Sequence, residues 1–404
     1  MSASETIRQG AVEDAIDGVV PRLVSQPQSP EELASLLAGA SRDRWMTVLR
    51  GGGTKLAWGR VPASLDLIVD ISRLDRLVAH RHADMTATVQ AGMPLASLNR
   101  SLAEHGQYLP VDSAFEHATV GGVVATNDSG PLRQRYGTPR DLLIGITLAT
   151  TEGRLVKAGG TVVKNVAGYD LGKLVSGSHG TLAAIVDATF KLLPIPRASA
   201  TLVATYLDGT ALARDVAALD ASQVELTAFD VRFSDRARYQ LLLRMASSPA
   251  ATEALAAEAA RLMSSPPALL NGEAEQALWR EQTRVPWSGT STVLRLSWLP
   301  SNLPAVLALV ERLHQDRCGP VTFVGRAGGA GLLSLEGDED ASIAAIVNLR
   351  ASVDVGHVVV LRASRRLKDQ ADVWGQASGA TEVARALKRM FDPQGILNAG
   401  RGPI

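Results

Sequence analysis

The chain has 404 residues, 46% hydrophobic and 20% charged, which excludes wholesale disorder and collagen-like repeats and leaves room for two or three domains at roughly 150 residues each. Lys plus Arg and Asp plus Glu both number 41, so there is no global basic surplus of the kind that neutralises nucleic-acid phosphates. The single cysteine, Cys318, can form no internal disulfide and cannot supply the thiolates of a zinc ribbon or iron–sulfur cluster.

The amino-terminal ten residues are polar with no apolar run behind them, and no stretch approaches the roughly 18 apolar residues of a membrane span. The sequence therefore predicts neither signal nor transmembrane segment, and a cytoplasmic location. Pro30-Glu31-Glu32-Leu33 opens a helix with Ser29 as its cap, and Pro94-Leu95 opens another that ends near Gly106. Strands are expected at Trp45 to Leu49, Leu67 to Asp70, Thr86 to Val89, Ile144 to Thr150 and Arg154 to Lys157. Strand and helix do not alternate regularly here, which argues against a doubly wound dinucleotide fold.

After Pro194-Ile195-Pro196 glycine becomes scarcer and Ala-rich amphipathic helices appear, at Thr210 to Leu219 and Thr252 to Met263, between strands Val224 to Phe233, Tyr239 to Arg244 and Thr292 to Trp298. Helix 302–316, strands 321–325 and 330–335, helix 341–352 and strand 356–362 predict a small ferredoxin-like sheet with helices on one face. Ser264 to Pro267 and Asp369 to Gly379 read as loops, and a last helix covers Glu382 to Met390. No internal repeat is visible.

Three segments carry candidate chemistry. Arg50-Gly51-Gly52-Gly53-Thr54 follows a strand, and its bare amides can point at phosphate oxygens; it is neither a Walker loop nor a Rossmann fingerprint. A flexible surface turn is the competing reading. In Ala118 to Asn127 the pair Gly121-Gly122 sits within an apolar, β-branched run, where either a planar ligand or a second strand comes close to the backbone. Lys164-Asn165-Val166-Ala167-Gly168-Tyr169-Asp170-Leu171, followed by Gly177-Ser178-His179-Gly180-Thr181-Leu182, groups polar residues that need partners if buried; a ligand or solvent would supply them.

Taken with Phe391-Asp392-Pro393-Gln394-Gly395-Ile396-Leu397-Asn398-Ala399-Gly400-Arg401, these segments, in this order, resemble the FAD-linked oxidases of the vanillyl-alcohol oxidase or PCMH type. Within them the resemblance is to the FAD-binding subunit of bacterial glycolate oxidase. It implies an α+β fold: a PCMH-type FAD-binding domain of two lobes at 15–196, a ferredoxin-like α+β cap domain at 197–370, and a C-terminal segment, 371–404, returning to the FAD domain.

Carried over position by position, the resemblance places Gly51, Gly52, Gly53 and Thr54 on the FAD pyrophosphate, with Arg50 and Lys55 adding charge. Pro110, Thr119, Gly121, Gly122, Thr126 and Gly130 would line the diphosphate and flavin. Gly180, Leu182, Ile185 and Val186 would pack the adenosine or isoalloxazine edge, and Asn398 would close the site. Thr54 stands where some relatives carry a flavin-linking His, which implies noncovalent FAD.

Oxidation of a 2-hydroxy acid needs a cation for the carboxylate and a base or metal for the hydroxyl proton. The His-x-Gly-Asp-Gly-Asn-x-His run that binds metal in such relatives is missing, so no metal is expected. His357, Arg362 and Arg326 are the candidate catalytic residues. On a strand the five-residue spacing of His357 and Arg362 puts them on opposite faces. The competing readings are a half-buried His357 bonded to backbone and a solvated turn residue at Arg326. His179 replaces the Glu that many relatives carry in Gly-Ser-Glu-Gly.

The function implied is that of an FAD-dependent oxidoreductase acting on CH–OH groups. As the FAD-binding subunit of a glycolate oxidase-like complex it would work beside a catalytic flavoprotein subunit and an iron–sulfur subunit, associating with membranes only through them. A stand-alone glycolate or D-lactate dehydrogenase and a structural FAD-bound assembly subunit are the alternatives.

Overall fold

The computed structural model describes residues 7–161, 168–234, 239–315, 319–375 and 381–403; the Lys164 to Ala167 part of the octet and Cys318 lie outside them. These residues form two compact units, one built from 7–129, 137–195 and 381–403, the other from 130–136 and 196–375.

Among the described residues the first unit has two larger sheets and a two-stranded one. Strands β1 (Ile7–Gln9), β2 (Leu23–Ser25), β3 (Thr47–Arg50) and β4 (Leu67–Asp70) form a sheet in the order β1-β2-β4-β3, parallel across β2-β4-β3. Strands β5 (Leu77–Arg81), β6 (Thr86–Gln90), β7 (Gln107–Tyr108), β8 (Leu143–Ala149), β9 (Leu155–Gly159), β10 (Ala184–Lys191) and β11 (Leu193–Pro194) follow. Five of them make an antiparallel sheet, β5-β6-β10-β8-β9, and β7 pairs with β11.

Helix Pro30–Arg42 starts as the sequence predicts, with the Ser29 hydroxyl accepting from Glu32 N at 3.1 Å. Its Leu33 and Leu37 sit in one core with Leu67, Val69, Leu98 and Phe190, and Ile396 and Leu397 from the far end of the chain join them. The run Val120–Thr126 departs from its strand-like composition and is a helix. Thr119 caps its start and Asn127, left-handed at φ 47°, ends it; two good caps outweigh the weak helix propensity of glycine and valine.

An ion cluster ties β1 to β3. Buried Asp14 accepts from Arg8 at 2.6 and 2.8 Å, from Arg50 Nη1 at 2.9 Å and from Ala11 N at 3.1 Å. These bonds, Arg8's foremost, hold the Asp14 carboxyl below its ordinary value. A depressed carboxyl contributes stability that is complete above its unfolded pKa, 3.8, and lost as pH falls through the folded one. Asp14→Asn should therefore lower the melting temperature at pH 6 and flatten its decline between pH 5 and pH 3; thermal scans that keep the wild-type slope would refute this.

The second unit holds one eight-stranded sheet made of two like halves. Strands β12 (Ala198–Tyr206), β13 (Ala228–Phe233), β14 (Tyr239–Ser247) and β15 (Ala268–Leu270), with helices Gly209–Asp220 and Pro249–Arg261 between them, run β-α-β-β-α-β in the order β15-β12-β14-β13. Strands β16 (Thr292–Ser297), β17 (Val321–Arg326), β18 (Ala330–Leu335) and β19 (His357–Arg362), with helices Leu303–Gln315 and Glu339–Ala351, repeat that series in the order β17-β18-β16-β19. Each half is the ferredoxin-like arrangement, and antiparallel pairing of β13 with β17 joins them.

The ferredoxin-like expectation therefore holds twice over, and the expectation of no internal repeat is corrected: the duplication lies in the order of elements. A helix that the sequence reading passed over, Gly272–Arg284, lies on one face of the first half. Its buried Glu275 accepts from Ser199, Thr201 and Arg244 at 2.6, 3.0 and 2.9 Å, and Gln282 donates to Asp230 at 3.1 Å.

Candidate cofactor site

The loop after β3 carries the site. Among the described residues the backbone amides of Gly51, Gly52, Gly53 and Thr54 donate to no acceptor; the first amides of this stretch to find one are those of Leu56 and Trp58, which turn back to Gly53 O and Lys55 O. Bare amides in succession form a concavity for an anion. Two of the glycines are sterically required: a Cβ on Gly51 would stand 2.2 Å from Thr119 Oγ1, and one on Gly52 1.8 Å from His117 O.

This loop is one wall of a cleft of about 840 Å³, counted out to its open mouth. From the predicted set the fold brings together there Gly51, Gly52, Gly53, Thr54, Lys55, Thr119, Gly121, Gly122, Thr126, Gly180, Ile185 and Asn398. Lys55 is almost wholly buried, with Nζ 3.1 Å from Asp128 Oδ2, within ion-pair range but without hydrogen-bond geometry. Its ammonium also stands 5.1 Å from the Phe115 ring centroid and 5.8 Å from that of Trp58.

The tail supplies the opposite wall. Leu397 bridges to Thr47 in parallel, and Asn398 N donates to Thr47 O at 2.8 Å. Asn398 Nδ2 donates to His179 O at 2.6 Å, which fixes the amide and leaves buried Oδ1 with no donor among the described residues. Gly180 makes this approach feasible, since a Cβ there would meet Asn398 Nδ2 at 2.9 Å.

Arg401 donates to the carbonyls of Leu56, Trp58 and Arg60, and burial lowers its guanidinium pKa to about 10. Behind it Lys388 Nζ donates to Asp392 Oδ2, Thr181 O and Leu397 O at 2.6, 2.7 and 2.9 Å. Burial lowers the Lys388 pKa.

Other residues of the predicted set lie elsewhere. Arg50 is a correction: its guanidinium binds Asp70 at 3.0 and 3.2 Å and Asp14 at 2.9 Å, so its charge is spent inside the sheet. Pro110, Leu182 and Val186 are buried away from the cleft lining. Gly130 belongs to the segment grouped with the second unit, and its carbonyl accepts from Arg326 Nε at 3.2 Å. Trp58, His179 and Arg401 line the cleft without having been foreseen. The only prior signals were the replacement at His179 and the tail motif that ends in Arg401.

The catalytic candidates are rearranged too. The register pairs His357 with Ser297 and Arg362 with Val293, four apart on β16, so both face the same side. An extra residue between Val360 and Arg362 resets the alternation, as a β-bulge does, correcting the opposite-face expectation. Arg362 is not available as an anchor: it donates to the carbonyls of Trp287, Ser288 and Ser291 at 2.8, 3.1 and 3.0 Å and to the Ser291 hydroxyl at 2.7 Å. His357 is exposed, which sets aside its half-buried reading, and Arg326 is buried, which sets aside the solvated one. No metal-holding group of His, Cys, Asp or Glu exists among the described residues.

The four unbonded amides, the buried cation and the orphan Asn398 acceptor suit a diphosphate-bearing cofactor with polar groups at its far end. Residues 21–159 match the FAD binding domain family, and residues 375–401 match the C-terminal domain of FAD linked oxidases. In these two segments the chain is similar to the FAD-linked oxidases.

Among curated proteins, D-2-hydroxyglutarate dehydrogenase of Xanthomonas citri pv. viticola is 35% identical over 57% of this chain and 48% of its own length. Glycolate oxidase subunit GlcD of Bacillus subtilis is 32% identical over 51% of this chain and 44% of its own, and subunit GlcE of Escherichia coli 36% over 40% and 47%. The chain thus spans about half the length of the curated relatives it matches. A solved structure of alkyldihydroxyacetonephosphate synthase superposes with a TM-score of 0.72 at 17% identity, covering 99% of this chain and 84% of that one; it bears out the α+β, PCMH-type fold. No helix among the described residues is long and apolar enough to cross a membrane.

Proposed function

We propose that this FAD-linked oxidase-type chain is the FAD-binding subunit of a glycolate oxidase-like 2-hydroxy-acid dehydrogenase. It would work beside a catalytic flavoprotein subunit and an iron–sulfur subunit. The observation that carries the reading is the row of unbonded amides from Gly51 to Thr54 facing the orphan Asn398 acceptor across one cleft. The names of the GlcD and GlcE relatives support the substrate class and the assembly. One cysteine cannot hold an iron–sulfur cluster, so onward electron transfer through such a centre would need cysteines beyond these 404 residues.

When bound, FAD would supply the two-electron acceptor. The residues of this chain would hold it: the loop amides and Lys55 take the diphosphate charge, and Asn398 Oδ1 accepts from a cofactor N–H or O–H. Thr54, with no imidazole to offer, leaves it noncovalent.

Acid precipitation of the purified yellow protein should leave the flavin in the supernatant. The chain alone should reduce a dye slowly or not at all with glycolate or D-lactate, and fast once the partner subunits are added. Flavin that stays oxidised in the assembled complex with substrate would defeat the proposal.

A further inference from the structure

Burying a lysine ammonium is costly unless acceptors surround it. Lys55 directly follows the row of unbonded amides, and its side chain is only 6% exposed. Among the described residues its Nζ nonetheless has no hydrogen-bond acceptor. Two aromatic rings, Phe115 and Trp58, and the Asp128 carboxylate at 3.1 Å are its surroundings.

Asp128 is fixed without Lys55. Its amide donates to Val123 O at 3.1 Å, just past the left-handed Asn127 that ends the helix Val120–Thr126. Its Oδ2 accepts from Ser113 Oγ at 3.1 Å, and that hydroxyl in turn accepts from Phe115 N at 3.3 Å. The carboxylate is thus the anchored member of the pair, and the ammonium, on its flexible four-carbon stem, is the movable one. Lys55 lines the cofactor cleft and Asp128 does not, so the carboxylate backs a cation that fronts on the cavity.

An ion pair built for stability is locked by hydrogen bonds, as Lys388 is by Asp392, Thr181 O and Leu397 O. Lys55 has a counter-charge without those bonds. Diphosphate oxygens would give it the acceptors that Asp128 does not. Once they do, Asp128 becomes a like charge close to the bound anion and opposes it.

We infer that Asp128 is a placeholder counter-ion: it keeps the Lys55 ammonium in the empty cleft and yields it to an incoming diphosphate, at a cost to cofactor affinity. It is a positioning residue, acting through Lys55 with opposite effects on the empty and the loaded protein. The inference rests on the proposed reading that Lys55 takes diphosphate charge, and it concerns a residue that sequence reasoning did not single out.

The test titrates the full-length chain, stripped of flavin, with FAD and follows the quenching of flavin fluorescence, with thermal scans of the empty protein alongside. Asp128→Asn, which can still accept from Ser113, should lower the melting temperature of the empty chain by about 5 °C and bind FAD about tenfold more tightly. A merely structural role would weaken both. Affinity that is unchanged or lower, or an empty chain that melts no lower, overturns the placeholder. An equal gain in Asp128→Glu, which keeps the charge, overturns it too.

If the empty Asp128→Asn chain does not fold, the rate of FAD release from the loaded variant decides: slower than wild type supports the placeholder, equal or faster overturns it. Lys55→Met should weaken FAD at least tenfold, and by more when combined with Asp128→Asn. Unchanged affinity in Lys55→Met overturns both the placeholder and the assignment of Lys55 to the diphosphate. A loss there without a gain in Asp128→Asn overturns the placeholder alone.

Discussion

Gly53→Asp should empty the cofactor site, while Gly53→Asn should keep it filled. Gly53 has φ 70°, a conformation that Asp and Asn tolerate better than other residues. A Cβ there meets no atom closer than Leu56 Cδ1 at 3.8 Å, so both side chains fit and only charge separates them. A carboxylate about 5 Å from a diphosphate charge costs about 3 kcal/mol at an effective dielectric near 20, more than a hundredfold in affinity. The absorbance ratio at 450 and 280 nm after gel filtration reads the outcome. Equal flavin content in the two variants would mean that the loop amides do not hold the diphosphate. Gly52 is a poorer probe, because any side chain there must first displace the His117 carbonyl.

Asp392→Ala should strongly destabilise the first unit. The Asp392 side chain is fully buried and accepts from Lys388 Nζ, Leu397 N and Ile396 N at 2.6, 2.8 and 3.1 Å. Removing it takes the counter-charge from the half-buried Lys388 ammonium and leaves two buried amides without their acceptor. Breaking one partner of a buried pair costs about 3–5 kcal/mol, which for a unit of this size lowers the melting temperature by roughly 10 °C. Flavin retention should fall with it, since the segment so pinned carries Asn398 and Arg401. A shift below about 2 °C in a thermal scan would show that the tail is held by something else.

The sequence disclosed what is local and hid what depends on distant chain. Ser29 before Pro30-Glu31-Glu32 announces its helix, and the glycine triplet after a strand announces an anion cradle; in both the decisive residues are adjacent. Arg50 misled because its partners, Asp14 and Asp70, lie 36 and 20 residues away, and only the sheet brings them together. The helix Val120–Thr126 was hidden by residues that favour strands, although its caps were in plain view. The extra residue near Arg362 shows in no composition or spacing, yet it decides which face the side chain takes. The doubled ferredoxin-like unit escaped notice because topology repeats where residues do not.

The distance between the two walls of the cleft has a biosynthetic consequence. The amides at 51–54 leave the ribosome long before Asn398 and Arg401, the latter bonded to carbonyls more than 340 positions upstream. A nascent chain can thus present half a cradle but not a closed one. Flavin capture needs the chain through Asn398, and truncation even a few residues before it should yield an apoprotein.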